Sequence, residues 1–364
     1  MRRLVLRLHL WCALAGSLVL LVIGITGCLL VYELSMDQWL DPGMFSVAPQ
    51  GQTVPFEKLV DRVRSAFPGK RITQVNLFGA KNSVEIRVAP DTRAYLNPYT
   101  GALVGTRTGE PPSFWVRHIH RELAGGKTGQ AIVRVASFIV LFQSISGLWL
   151  WWPLKRVKVN FAGSWRRIHF DLHHSVGFFS SVLLFILAGT GLVKSFGDQL
   201  QPLFDRMTGE PAAVRAAVVH RAPGAGPIGF DRALAIARET LPGARPARIT
   251  PPKSAADPIV ITMKFPGDST APGRSWVVLD PYSGQVLASQ DARHAPAAAM
   301  IPIVNRAIHV GGFAGAPSRI LAFLVSLALL VQIVTGFVMW WKKRGARPAK
   351  AGIRAAVSTE VSKV

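Results

Sequence analysis

The sequence predicts an α-helical integral membrane protein with four transmembrane helices in two parallel tandem repeats, each repeat carrying an extracytoplasmic α+β module. Three observations predict this fold class. Four runs of the chain lack charged residues over the length that a bilayer requires. Two patterns that contain histidine recur at constant spacing. Basic residues gather at the start of the chain, in a short link between the second and third apolar runs, and after the fourth run.

The positive charge of the chain does not indicate nucleic-acid binding. The 364 residues carry a net charge of +22, yet 49% of them are hydrophobic. Long uncharged runs are typical of a membrane protein, in which basic residues set the topology. The sequence lacks the interleaved basic and aromatic residues that a nucleic-acid surface needs. We therefore expect a lipid bilayer as partner and no nucleic acid. Cys12 and Cys28 would lie about 24 Å apart on one helix and cannot bridge each other.

Each uncharged run is close to the ~20 residues of a transmembrane helix. The runs are 10–32, 135–152, 175–193 and 320–341. The first run lacks the small-residue exit of a signal peptide, so we expect an uncleaved helix.

Basic residues predict which segments stay inside. They are Arg2, Arg3 and Arg7 before the first run, Lys155, Arg156, Lys158, Arg166 and Arg167 in the short link, and Lys342, Lys343 and Arg344 after the fourth run. Short basic segments remain in the cytoplasm, so both termini and the link are expected there.

The resulting division has eight segments. They are transmembrane helix 1 at 1–33, a first outer module at 34–130, transmembrane helix 2 at 131–152, a cytoplasmic loop at 153–171, transmembrane helix 3 at 172–194, a second outer module at 195–315, transmembrane helix 4 at 316–341 and a cytoplasmic tail at 342–364.

The repeat is visible in the apolar runs themselves. Leu8-His9 followed by Thr26-Gly27 returns as Leu172-His173 followed by Thr190-Gly191, with 17 residues from histidine to threonine in both copies. Gln143 to Gly147 with Trp151-Trp152 matches Gln332 to Gly336 with Trp340-Trp341 at an offset of 189, which also carries His120 onto His309. Both copies start inside, so we expect parallel repeats related by a pseudo-two-fold axis along the membrane normal.

The outer segments are copies as well. In each, an amphipathic helix (56–67 and 230–241) ends at Pro-Gly, and an alternating strand (83–88 and 259–263) follows. Then come the turns Asn97-Pro-Tyr-Thr-Gly101 and Asp280-Pro-Tyr-Ser-Gly284, which have hairpin chemistry. Each outer segment is predicted to be a small helix-plus-sheet module.

These residues resemble a known family. The His9 and Thr26-Gly27 pattern, the two Pro-Tyr turns, and the exit Gly147-Leu-Trp-Leu-Trp-Trp-Pro153 are similar to PepSY-associated transmembrane proteins of the iron-regulated membrane-protein and ferrisiderophore-reductase type. The resemblance covers nearly the whole chain and implies PepSY-like modules on the periplasmic side of a bacterial inner membrane. Some members bind haem in the membrane and reduce ferric siderophores.

Four histidines are the candidate cofactor ligands. Two-fold symmetry would bring His9 to His173 at the inner ends of spans one and three, and His120 to His309 on the outer side. A bis-histidine haem needs two imidazoles on opposite faces of the iron. We therefore expect two haem b groups, one held by His9 and His173 and one held by His120 and His309. The alternative is that these are interfacial histidines without a ligand.

Other residues are secondary candidates. His118, His169 and His174 are possible substitute ligands or propionate partners, with solvated or headgroup contacts as the alternative; His169 and His173 are also spaced as an i,i+4 metal pair. Arg134, and the arginines Arg117, Arg121 and Arg306 beside the outer histidines, either snorkel or pair with propionates.

Three functions remain open from the sequence. The first is a haem-containing oxidoreductase that passes electrons across the bilayer to a ferric siderophore or other ferric chelate. Since no G-x-G-x-x-G follows a strand, its electron donor would be a cytoplasmic protein or a quinol. The second is a membrane-anchored binding or inhibitory module without redox activity, and the third is a transporter for haem, a metal or a siderophore. No catalytic residue is assigned, and the sequence lacks hydrolase motifs.

Overall fold

The computed structural model describes residues 1–155, 157–208, 219, 226–268, 270 and 273–344. His220 and residues 345–364 of the predicted tail lie outside this part of the chain. Within it are eleven helices and eight strands. The helices are α1 Arg2–Leu30, α2 Glu33–Leu40, α3 Pro42–Phe45, α4 Phe56–Ala66, α5 Pro112–Glu122, α6 Gly126–Trp151, α7 Trp165–Ser195, α8 Gly197–Thr208, α9 Phe230–Thr240, α10 Ala297–His309 and α11 Ala316–Arg344. The strands are β1 Ile72–Leu77, β2 Val84–Val88, β3 Thr92–Leu96, β4 Leu103–Thr108, β5 Arg245–Thr250, β6 Ile259–Lys264, β7 Ser275–Leu279 and β8 Val286–Gln290.

Four helices are long and apolar enough to cross a bilayer, so the chain is a multi-pass membrane protein. They are α1, α6, α7 and α11. Helices α7 and α11 contain the uncharged runs 175–193 and 320–341, and α1 and α6 cover all but the last one or two residues of the runs 10–32 and 135–152. Helix α7 begins at Trp165, inside the predicted 153–171 link. Its first turns are stabilised by Arg167, which donates to Asp171 four residues later at 2.7 Å.

The spans form a ring in which α1 packs on α6 and α11, and α7 packs on the same two helices. Leu20, Val140, Leu184 and Val325 meet inside this ring. Many large apolar side chains, Leu18 and Phe138 among them, point outward. An outward apolar surface of this kind is suited to lipid.

The strands form one sheet in the order β4-β3-β2-β1-β5-β6-β7-β8, with every pair antiparallel. The two predicted helix-plus-sheet modules are therefore joined, because β1 pairs with β5 through Val75 with Ile249 and Asn76 with Arg248. Each of these strands would otherwise be an exposed edge, and pairing satisfies its backbone groups.

One face of the sheet is apolar and is covered by α4 and α9. The two helices cap each other. The Asp231 carboxylate accepts from the backbone N–H of Phe56 at 2.7 Å and of Glu57 at 3.0 Å, and the Glu57 carboxylate accepts from Phe230 N–H at 2.5 Å. Two free helix ends are thereby satisfied across the two halves of the chain.

The local predictions for the modules are confirmed where the structure describes them. The amphipathic helices appear as α4 and α9, and the alternating runs as β2 and β6. At the turns, Asn97 Oδ1 accepts from Tyr99 N–H at 2.9 Å and Asp280 Oδ1 accepts from Tyr282 N–H at 2.8 Å. Helices α5 and α10, which connect the sheet to spans α6 and α11, were not predicted.

Candidate functional site

Each of the four candidate histidines forms a hydrogen bond with a hydroxyl group on another helix. The Nδ1 atoms of His9 and His173 lie 2.8 Å from Ser146 Oγ and 2.9 Å from Thr335 Oγ1. These contacts join α1 to α6 and α7 to α11.

The outer histidines repeat the arrangement. His120 Nδ1, on α5, lies 2.9 Å from Thr26 Oγ1 of α1. His309 Nδ1, on α10, lies 3.2 Å from Thr190 Oγ1 of α7. The same contact therefore occurs four times, twice between spans and twice between a short helix and a span.

The hydroxyls determine which ring nitrogen carries the proton. Each hydroxyl has one hydrogen, and in each case a backbone carbonyl one turn earlier is placed to accept it: Phe142 O for Ser146 at 2.6 Å, Val331 O for Thr335 at 2.6 Å, Val22 O for Thr26 at 2.7 Å and Ile186 O for Thr190 at 2.8 Å. With its proton engaged there, the hydroxyl oxygen accepts from the imidazole. The proton is thus assigned to Nδ1, and the Nε2 lone pair is left available.

His309 supports this assignment independently. Its Nδ1 also lies 3.0 Å from the carbonyl oxygen of Leu187, which can only accept. Nδ1 must therefore be the donor, and Nε2 of the neutral His309 ring carries no proton.

A glycine follows each hydroxyl residue and makes room for the ring. A Cβ atom placed on the glycine would lie 3.3 Å from His9 Cε1 at Gly147, 3.3 Å from His173 Cε1 at Gly336, 3.5 Å from His120 Cε1 at Gly27 and 3.0 Å from His309 Cε1 at Gly191. The Ser/Thr-Gly pair is thus a cradle in which the hydroxyl binds Nδ1 and the missing side chain admits the ring.

The outer histidines face each other across the two halves of the chain. The ring centroids of His120 and His309 are 6.4 Å apart, with planes inclined at 58°. Two imidazoles bound to one metal ion from opposite sides would have centroids on the order of 6 Å apart, because each metal–nitrogen bond is about 2 Å long. The distance of 6.4 Å between the centroids is compatible with a metal ion between the two rings.

The outer rings are neutral near pH 7. Burial lowers the pKa of His120 to about 4 and the pKa of His309 to about 3, and the charge of Lys194 lowers both further. A metal ligand has to be a neutral imidazole, so the electrostatics of this pair are compatible with ligation.

The inner histidines line one cavity of about 340 Å³ between the four spans. Gln143 and Gln332 hold the backbone beside them, since Gln143 Nε2 donates to the carbonyl of His9 at 2.7 Å and Gln332 Nε2 to that of His173 at 3.1 Å. His9 and His173 are thus oriented by side-chain and backbone bonds around a shared space. Gly177 also lines this cavity, and a Cβ atom there would lie 3.2 Å from Gln332 Oε1.

The secondary candidates lie in different places. His118 binds Glu122 at 2.6 Å and stacks on Phe114, away from the outer ring pair. Arg134 donates to the hydroxyl of Ser195 at 2.8 Å and to its carbonyl, so its guanidinium is engaged at the end of α7.

The remaining two histidines lie near the inner end of α7. His174 lines the same cavity as His9 and His173, beside Phe170. His169 is buried against Trp165 at 3.8 Å between ring centroids, and neither of its ring nitrogens has a hydrogen-bond partner in the described part of the chain. Among the described residues no group of three or more His, Cys, Asp or Glu side chains could hold a metal ion, so the His169 and His173 pair has no third protein ligand.

The residues present fit haem on the chemistry of their donors. Haem iron takes two axial imidazoles and needs no further protein ligand. The chain supplies four imidazoles in two pairs, each with Nδ1 held by a hydroxyl and with no partner for Nε2 among the described residues. Hydrogen bonding of the second ring nitrogen is the usual way in which a protein orients a ligating histidine.

Sequence reasoning selected the four histidines but missed their partners. Thr26-Gly27 and Thr190-Gly191 mark the repeat in the sequence, but their contacts with His120 and His309 were not predicted. Ser146 and Thr335 lie inside the second repeated pattern and were passed over. The sequence pattern that could have identified these partners is a glycine directly after a serine or threonine, which occurs at all four positions.

The model of the PepSY-associated TM region matches residues 6–343. Among curated proteins, nothing matches the chain.

Proposed function

The chain belongs to the PepSY-associated transmembrane family, and from this premise we propose that it is a haem-containing inner-membrane oxidoreductase. In this proposal it passes electrons across the bilayer to reduce a ferric siderophore or another ferric chelate in the periplasm. Two haem b groups are held, one by His9 and His173 and one by His120 and His309.

A single observation carries the proposal. Four imidazoles from the two halves of the chain are held by the same hydroxyl-glycine cradle, with Nε2 free, and one pair has the ring spacing of a bis-imidazole centre. Neutral histidines at a lipid boundary would not need four matched cradles. Intramembrane polar groups are costly and are therefore usually functional.

The repeat supports the position of the pairs. Cradles of the same kind hold His9 and His173 from α6 and α11, and His120 and His309 from α1 and α7. We propose parallel tandem repeats about an axis along the membrane normal, with both termini in the cytoplasm. The His9 and His173 pair is then on the cytoplasmic side, and the other pair is on the side of the sheet.

In this proposal haem, the cradles and the electron donor have separate roles. Haem, when bound, supplies reversible one-electron transfer. The cradles keep each imidazole in the Nδ1–H form and hold its ring in place. Each ferric ion reduced consumes one electron, which comes from a quinol or a cytoplasmic protein, because no G-x-G-x-x-G of the sequence follows a predicted strand.

The first test is the absorption spectrum of the full-length protein purified in detergent from haem-replete cells. We expect reduced b-type bands after dithionite and about two haems per chain. His9→Ala, His173→Ala, His120→Ala and His309→Ala should each lose part of the signal. His294→Ala is the matched control, because that side chain is 80% exposed.

A second measurement tests the reaction itself. The dithionite-reduced protein, freed of excess reductant under anaerobic conditions, should return to its oxidised spectrum when a ferric siderophore is added. A colourless wild-type protein would contradict the redox proposal and favour a binding module or a transporter.

A further inference from the structure

A second cavity lies between the polar face of the sheet and the membrane helices. It has a volume of about 450 Å³, within the range of small-ligand sites. Strands β1, β2, β3 and β5 line it from one side, and helices α5, α10 and α11 from the other. Six arginines and four carboxylates line this space, which we call the arginine cavity.

The first carboxylate of the cavity is neutralised by the protein itself. Glu85 Oε1 accepts from Arg87 Nε at 2.6 Å, from Arg93 Nη1 at 3.3 Å and from Asn76 Nδ2 at 3.1 Å. Arg93 also pairs with Glu110. This network uses two arginines and two carboxylates, of which Glu85 and Arg93 are buried.

The other two carboxylates are engaged as well. Glu33 pairs with Arg117 at 2.5 Å, and Asp37 accepts from the backbone N–H of Ser113 at 3.3 Å and from its hydroxyl. All four carboxylates of the arginine cavity therefore have donors within the chain.

Three arginines of the cavity have no carboxylate partner among the described residues. They are Arg248 on β5, Arg306 on α10 and Arg319 on α11. Within the part of the chain that the structure describes, the hydrogen-bond partner of Arg248 is the side chain of Asn76, to which its Nε donates at 2.9 Å. Burial lowers the pKa of Arg248, and the charges of Arg87 and Arg306 lower it further. Positive charges of several arginines therefore lie close together at this cavity. Their mutual repulsion is unfavourable unless an anion binds between them.

The arginine cavity adjoins the outer histidines. Arg306 precedes His309 by three residues on α10, and Arg117 precedes His120 by three on α5. Residues three apart on a helix lie on neighbouring positions of one face. An anion at Arg306 would therefore be bound next to the His120 and His309 pair.

We propose that the arginine cavity binds a ferric chelate with several carboxylate groups and a net negative charge. This inference rests on the proposed function, since it names the class of chelate that the outer site takes. Planar guanidinium groups bind carboxylates through two parallel hydrogen bonds, and every cation that lines the cavity is an arginine. Arg248, Arg306 and Arg319, which have no carboxylate partner among the described residues, supply the positive charge for it.

The test is a calorimetric titration of full-length protein in nanodiscs of phosphatidylcholine. The probe is gallium(III) citrate, which resembles the ferric chelate but is not reduced, so binding is measured apart from electron transfer. We expect binding by the wild-type protein and a loss of affinity of about tenfold or more for Arg248→Gln. Arg248→Lys should fall between the two, because it keeps the charge and loses the paired geometry. Arg232→Gln, an exposed arginine on α9 beyond the other face of the sheet, is the control and should bind as wild type.

Several outcomes would overturn the inference. They are no binding of gallium citrate by wild type, equal affinity in Arg248→Gln and wild type, or tighter binding of a cationic ferric trihydroxamate. Loss of binding only when anionic phosphatidylglycerol replaces the neutral lipid would show that a lipid headgroup is the anion, and would also overturn it. An unchanged haem spectrum in Arg248→Gln separates chelate binding from a role in holding haem.

The two proposals fail separately. Arginine-dependent binding of gallium citrate by a protein without haem would leave the cavity assignment standing and end the redox proposal. A haem protein that reduces a cationic chelate but does not bind gallium citrate would leave the redox proposal standing and end the cavity assignment.

Discussion

At the scale of single residues, the glycines decide whether the histidines can reach their hydroxyls. Gly191 contacts the ring of His309, whereas a Cβ atom at Gly189, two residues earlier on α7, would meet nothing within 4 Å. The two positions share a helix and differ in this one contact. The pair therefore separates the effect of the cradle from the effect of a glycine in a helix.

We predict that Gly191→Ala displaces the ring of His309, because its Cβ would lie 3.0 Å from Cε1. The expected result is loss of most of the outer haem signal with the protein still folded. Gly189→Ala should keep the full spectrum and match or exceed the wild-type thermal stability, since alanine is favoured over glycine in helices by about 1 kcal/mol. The haem-to-protein ratio of both variants checks this, and equal ratios would contradict a role for the cradle.

A second residue-scale prediction concerns the hydroxyl. Ser146→Ala removes the acceptor that holds Nδ1 of His9, and loss of such an orienting partner typically lowers metal affinity or activity 10- to 100-fold. Ser137→Ala is the matched control, because the Ser137 hydroxyl on the same helix donates to the carbonyl of Val133 and contacts no histidine among the described residues. Haem retention during dilution or competition with apomyoglobin would measure the difference. Equal retention would show that the hydroxyl does not orient the ligand.

At the scale of elements, the sequence predicted the helices and strands that depend on a local pattern of residues. Uncharged runs predicted α1, α6, α7 and α11, and alternation predicted β2 and β6. The pairing of β1 with β5 was missed because Asn76 and Arg248 are brought together only by folding. Helices α5 and α10 were missed because their histidines were assigned to the flanks of the following spans. The cradles were also missed, because each joins residues that only folding brings together, such as Thr26 of α1 and His120 of α5.

The reciprocal caps of α4 and α9 yield an element-scale prediction. Asp231→Ala leaves the Phe56 and Glu57 N–H groups without an acceptor and should cost about 1 kcal/mol in the free energy of unfolding. Asp61→Ala, at an exposed position of α4, should cost much less. Thermal denaturation followed by circular dichroism compares the two. A similar loss in both would mean that the cap across the halves contributes little.

At the scale of the whole molecule, each proposed haem draws one ligand from each half of the chain. His9 and His120 come before the 153–164 link, and His173 and His309 come after it. The shared sheet joins the halves outside the spans, and the ring of α1, α6, α7 and α11 joins them within. Neither half can then supply both axial ligands of either haem.

This architecture predicts the behaviour of a chain cut within the 153–164 link. The two fragments expressed together should assemble through the spans and through the pairing of β1 with β5, and should show the spectrum of the uncut protein. Either fragment alone should lack the low-spin bands of bis-histidine haem, because it holds one histidine of each pair. Absorption and low-temperature electron paramagnetic resonance spectra distinguish the cases. A bis-histidine signal from one fragment alone would mean that the ligands pair within a half, and the two-fold placement of the sites would have to be abandoned.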